Sequence, residues 1–219
     1  MRIGAGTAWR GLAQALVLVG ALTACGQGED GEQDAKASAR PSVTATAERG
    51  GTVGADGSAC ELPVTFDIAR NWKAEAVESD ADGSGGSATD DALEALLHQG
   101  PVTTVCEIDA KPAGHIGFLR VWTGAAGDAD ARGVLEAFVT AEGQVSGQKY
   151  RTFDADGLAG AEVEYTYTNK VLDESKKEHA LAVVTSDGPV VLHLGGLDTE
   201  EHQQMLPAYE LAKRTLRAA

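Results

Sequence analysis

Thiols, histidines and clustered carboxylates are the residues of this 219-residue chain whose types and spacing could do chemistry. Cys25 ends the tetrapeptide Leu22-Thr23-Ala24-Cys25, directly behind an apolar segment from Gly11 to Leu22. Small side chains at 23 and 24 suit a peptidase that must hold an extended backbone beside the thiol, and a cysteine exposed by that cut is placed for acylation. The competing readings are an ordinary cleaved signal and a cytosolic chain with an apolar start. Cys60 and Cys106 remain as an even pair in a chain read as exported, and a disulfide between them is expected. They lack zinc spacing, with one histidine, His98, between them. Closing a loop of about 45 residues contributes roughly 4 kcal/mol in the chain-entropy account.

The histidines, His98, His115, His179, His193 and His202, occur singly, with no His-Glu-x-x-His and no pair at helical metal spacing. Each reads as a surface or half-buried polar residue rather than a ligand. A twelve-residue frame from Asp80 puts Asp82 third, Ser84 fifth, Gly85 sixth and Asp91 twelfth, which are oxygen-ligand positions of a calcium loop. Against that frame, Ser87 stands where an apolar anchor belongs and Asp91 is shorter than the usual glutamate, so a solvated loop is the preferred reading. Glu162 and Glu164 share a strand face about 7 Å apart. They are expected to be surface charges balanced by Lys149 or Arg151 across a sheet. No Gly-x-Ser-x-Gly turn presents a nucleophile. No catalytic residue, metal or cofactor is assigned, and the chain is read as non-enzymatic.

The elements around these residues begin with an export signal over 1–24. Arg2 and Arg10 form its positive region, and its apolar core is shorter than the roughly 20 residues needed to cross a bilayer. Losing those two arginines takes the formal net charge from −15 to −17. So acidic a surface repels phosphate and anionic headgroups, which excludes nucleic acid and a domain lying flat on lipid. Gly26 to Ser58 has almost no large apolar residue and cannot offset the entropy of ordering. Residues 25–58 therefore read as a lipidated flexible linker with an r.m.s. reach of about 30 Å, and 59–219 as one globular domain.

Within that domain, Val64 to Ile68 alternates at the strand period and Trp72 follows as an aromatic anchor. A short helix is expected at 92–97, strands at Val102 to Ile108 and His115 to Thr123, and a helix from Asp130 to Glu142 with Val134, Leu135, Phe138 and Val139 on one stripe. Ala161, Val163, Tyr165 and Tyr167 alternate with polar residues in another strand. His179 to Ser186 and Pro189 to Gly195 flank an Asp187-Gly188 hairpin signal. In that hairpin Leu181, Val183, Val190, Leu192 and Leu194 share one face, and Ala182, Val184, Val191 and His193 the other. Both faces are apolar, so helices are needed on each side. Asp198 to Leu216 supplies one, with Pro207 expected to kink or restart it. Trp122, Tyr165 and Tyr167 read as core.

Leu22-Thr23-Ala24-Cys25 resembles the lipobox of bacterial lipoproteins. From Cys60 to Ala219 the chain resembles the PsbP-like fold, as in photosystem extrinsic subunits and actinobacterial LpqN-type surface lipoproteins. That likeness rests on the opening strand with Trp72, the Gly160-Ala161-Glu162-Val163-Glu164-Tyr165 strand, the hairpin from Val183 to Val191, and the closing helix with Pro207-Ala208-Tyr209-Glu210. The resemblance implies an α+β fold, an α/β/α sandwich around a mostly antiparallel sheet, and an accessory binding role. The expectation is a lipid-anchored extracytoplasmic binding or adaptor module with an envelope protein as partner. The alternative is a carrier that holds a lipid or other small apolar ligand between sheet and helices.

Overall fold

The computed structural model of the chain describes residues 46–77 and 97–219. The expected signal, Cys25, the acidic segment 78–91 and all but the last residue of the expected helix at 92–97 lie outside the described residues. The elements are β1 (Arg49–Val53), β2 (Val64–Ala69), β3 (Lys73–Ala76), β4 (His98–Gln99), β5 (Val102–Asp109), β6 (Gly117–Thr123), α1 (Ala131–Glu142), β7 (Val145–Ala155), β8 (Leu158–Asn169), β9 (Glu174–Thr185), β10 (Gly188–Gly196), α2 (Thr199–Thr215) and β11 (Arg217–Ala218). The large sheet has eight strands in the order β3-β5-β6-β10-β9-β8-β7, with β4 added to β5; a small sheet has the order β1-β2-β11. The paired strands run antiparallel. This is the expected α+β arrangement, with one refinement: α2 shares its side of the large sheet with the small sheet.

Two apolar cores follow from strand parity. Odd residues of β9 and even residues of β10 (Leu181, Val183, Val190, Leu192, Leu194) pack with Phe66 of β2 and with Met205, Tyr209 and Leu216. The opposite parity (Ala180, Ala182, Val191) packs with Val163 and Tyr165 of β8 and with the α1 stripe Val134, Leu135, Phe138 and Val139. Burying each large side chain of that stripe contributes roughly 1.5–3 kcal/mol. Asp130 starts α1 by accepting a hydrogen bond from the Gly133 amide at 2.7 Å, and Asp198 does the same for α2 from the Glu201 amide at 2.8 Å.

The β9–β10 turn differs from the sequence expectation. Thr185 pairs with Gly188 and Val183 with Val190, so Ser186 and Asp187 form the turn instead of Asp187 and Gly188. A slip of two residues preserves side-chain parity, and both expected faces survive it. Gly188 sits at φ 130°, and a Cβ there would fall 2.1 Å from the Gly124 carbonyl oxygen, so only glycine fits.

Two further expectations are corrected. The chain joins the fold ahead of Ser58, because β1 pairs with β2, and Val53 is buried. Gly50 runs so close to β2 that a Cβ would lie 2.6 Å from the Ala69 carbonyl oxygen. With two glycines and one buried valine, β1 has no apolar period to read; backbone pairing makes it a strand. Helix α2 also runs through Pro207 without restarting. Buried side chains on both sides of the proline, His202 and Met205 before it and Tyr209 and Ala212 after it, hold the helix against the sheet. Cys60, in the β1–β2 connection, is disulfide-bonded to Cys106 of β5, with Cα atoms 6.0 Å apart.

Candidate functional site

On the α1 side of the large sheet the buried stripe is apolar for as long as the helix covers it. Where α1 ends at Glu142, the same parity brings up polar side chains. Tyr165 of β8 stands opposite Glu178 of β9, and His193 of β10 lies beside them. The Tyr165 hydroxyl donates to Glu142 Oε2 at 2.5 Å and lies 3.2 Å from Glu178 Oε2 and 3.1 Å from His193 Nε2. His193 Nε2 is 2.9 Å from Glu178 Oε2, and Lys176 Nζ is 2.9 Å from Glu178 Oε1. Lys176 also donates to the Gly196 carbonyl at 2.9 Å. Glu178 and His193 are buried, 2% and 7% exposed.

The two carboxyls are driven apart in acidity. Burial, reinforced by the Glu178 charge, pushes Glu142 up to about 7 against the pull of His193. Burial also works against ionising Glu178, but its charge interaction and hydrogen bond with His193, together with Lys176, outweigh that and hold it far below the usual carboxylate range. Burial and both carboxylates push the Tyr165 phenol well above its ordinary value. The cluster opens on a cleft of about 480 Å³, bordered also by Arg120, Trp122, Tyr167, Ile116 and Leu197. Trp122 is 5% exposed, and its indole Nε1 has no hydrogen-bond partner. Ile116 and Leu197 are two of the four large apolar side chains left exposed among the described residues.

Sequence reading left these residues apart. Tyr165 and Trp122 are core, as expected, while Trp122 and the half-buried Tyr167 also border the cleft. Glu178 falls one residue ahead of the expected strand. Extending that strand by one position would have put an acid on the His193 face, and a charged residue on an otherwise buried face was the available signal. Glu162 and Glu164 do not form a site. Lys213 and Arg151 lie 2.7 and 4.0 Å from Glu162, and Lys177 and Lys149 lie 3.1 and 3.7 Å from Glu164, as a balanced charged surface.

The histidines are not the isolated residues their spacing suggests. His179 and His193 do fall on opposite faces of the β9–β10 hairpin, but His179 Nδ1 meets His202 Nε2 at 2.7 Å under α2. His202 is fully buried, and burial, then His179, push its imidazole down to about 3. The unfolded chain takes up that proton near the ordinary value of 6.5. Stability from neutral His202 is thus fully present above pH 6.5 and is lost as the pH falls toward 3, at about 1.4 kcal/mol per pH unit. Wild type is expected to lose urea resistance more steeply than His202→Gln between neutral pH and about pH 5. Glu142, whose raised value works in the opposite direction, is common to both proteins and cancels. Parallel curves would contradict the assignment.

No helix among the described residues is long and apolar enough to cross a membrane. A similar solved structure is the solution structure of cyanobacterial PsbP (CyanoP) from Synechocystis sp. PCC 6803, at 12% sequence identity and a TM-score of 0.46, covering 76% of this chain and 97% of that one. Among curated proteins, none matches the sequence. The family described as uncharacterised lipoprotein matches residues 29–216, from just past Cys25 to the end of α2, and the chain belongs to that family.

Proposed function

We propose that the protein is a lipid-anchored, non-enzymatic binding module on the extracytoplasmic side of the membrane, held through Cys25, and that its cleft binds a small ligand by a cationic group. One observation carries this reading: two carboxylates, Glu142 and Glu178, are gathered with His193 in a buried corner that opens on the cleft. Gathering ionisable groups out of water costs stability, and such clusters concentrate at sites of function. The acidic net charge of the chain raises the concentration of cations around it. A wholly apolar ligand would take the half-buried Glu142 and Lys176 further out of water without adding a hydrogen-bond partner. Ile116 and Leu197 beside the cleft favour a second reading, in which a protein partner covers its mouth.

Native mass spectrometry of the full lipoprotein, gently extracted from its own membranes, tests this. The expected spectrum shows acyl mass on Cys25 and an added species below a kilodalton that Glu142→Gln does not carry. A bound species retained by Glu142→Gln, or none on the wild type, overturns the cleft reading. A co-migrating polypeptide lost with Ile116→Ser would move the conclusion to the adaptor.

A further inference from the structure

We propose that Glu142, Glu178 and His193 form a binding site for a divalent transition-metal ion, with the Tyr165 hydroxyl at its edge. This rests on the reading of the cleft as a site for a cationic ligand and specifies that cation. One ligand atom from each of the three residues lies within 4.8 Å of the other two. Four donors around an ion at about 2.0–2.2 Å stand roughly 3.3–3.6 Å from one another. The contacts here run from 2.5 Å (Tyr165 to Glu142) through 2.9 Å (His193 to Glu178) to 3.2 Å (Tyr165 to Glu178), so small side-chain rotations open the shell to that size.

The donor set decides the class of ion. An imidazole with two carboxylates suits zinc, manganese or iron, whereas calcium and magnesium prefer oxygen alone. Glu178 is already paired with Lys176, so an ionised Glu142 supplies the unbalanced charge that lowers the cost of burying the ion. Glu178 is already oriented for the task. Lys176 holds its Oε1 and is itself anchored on the Gly196 carbonyl, leaving Oε2 directed at His193 and Tyr165. Glu142 is the last residue of α1, where the unpaired carbonyls of a helix end favour a cation.

A second observation points to a ligand independently. Trp122 borders the cleft, is 5% exposed, and has a buried Nε1–H with no acceptor. Indole nitrogen only donates, so it calls for an acceptor from outside the protein, such as a water or an oxygen of a ligand in the cleft. Its ring packs edge-on against Phe138, centroids 5.4 Å apart, and Phe138 packs edge-on against His193 at 5.5 Å, so one ring bridges the indole and the cluster.

The test uses full-length lipoprotein in detergent, stripped with a chelator and titrated with Zn²⁺ alone by calorimetry. The expected result is one Zn²⁺ per chain at micromolar affinity or tighter, unaffected by millimolar Mg²⁺. His193→Gln and Glu142→Gln should each weaken it by about 100-fold while melting cooperatively as the wild type does. His179→Gln, on the opposite face of the sheet, should leave it unchanged. X-ray absorption at the zinc edge should show a nitrogen and oxygen shell with one imidazole. Absence of saturable binding, or equal affinity in His193→Gln, overturns the proposal. If Zn²⁺ fails to bind while the species seen by native mass spectrometry still depends on Glu142, the metal assignment falls and the cationic-ligand reading stands; if both fail, both fall.

Discussion

Replacing Cys60 and Cys106 together with alanine is expected to lower the unfolding free energy by roughly 4 kcal/mol, a large share of the stability of a domain this size. The bridge closes a loop across a sequence separation of 46, and removing it returns that conformational freedom to the unfolded chain. Both cysteines are buried, Cys60 at 2% and Cys106 at 0% exposure, so the folded state also loses packing. The location adds to the effect. Cys60 lies in the connection that carries the chain from β1 to β2, while Cys106 pairs with Ala76 and Val121 inside the large sheet. The bridge therefore fastens the small sheet to the large one. Urea unfolding of the oxidised wild type, the reduced wild type and the double variant should give a lower midpoint and a larger slope for the last two, since an unlinked chain expands further. A difference under about 1 kcal/mol would mean that the sheets hold together without the bridge.

Glu178→Ala is expected to cost a comparable 3–5 kcal/mol or so, by a different route. The carboxylate is the hub of its cluster: Oε1 is 2.9 Å from Lys176, Oε2 is 2.9 Å from His193, and the Tyr165 hydroxyl is within 3.2 Å. Removing it takes the shared carboxylate partner from the Lys176 ammonium and from the buried His193 imidazole. The loss measures that missing partner and not the net worth of the cluster. Replacing the group as a unit, Lys176→Met with Glu178→Leu and His193→Phe, should therefore recover much of the lost stability. Glu178→Gln, which keeps the shape and one acceptor, should fall between. The readout is the urea midpoint of each variant at neutral pH. A cost below about 0.5 kcal/mol for Glu178→Ala would show that water reaches the cluster freely and that it is not the buried site described above.

Most of the α1-side and α2-side elements were legible because each is set by neighbours a few residues away. Asp130 and Asp198 announce their helices through a bond to an amide three residues on, and the β9–β10 faces follow from a period of two that even a shifted turn leaves intact. Polar edges were less legible. β7, an edge strand exposed along much of its length, carries little apolar alternation, and β1 carries almost none. Their structure comes from backbone pairing with β8 and β2.

The sequence by itself determined the acidic character, the cysteine pair, and which side of each apolar strand or helix is buried. These depend on composition, on local hydrogen bonds and on periodicity, and none needs a distant partner. The tertiary structure alone decided the continuity of α2 through Pro207, the entry of β1 into the fold, and the meeting of Glu142, Tyr165, Glu178 and His193. Those four residues come from one helix end and three strands, and they converge because β8, β9 and β10 are adjacent and the last residue of α1 reaches them. Contacts between residues so far apart in the chain follow from strand order and from where one element runs out of length, and neither leaves a periodic trace in the sequence.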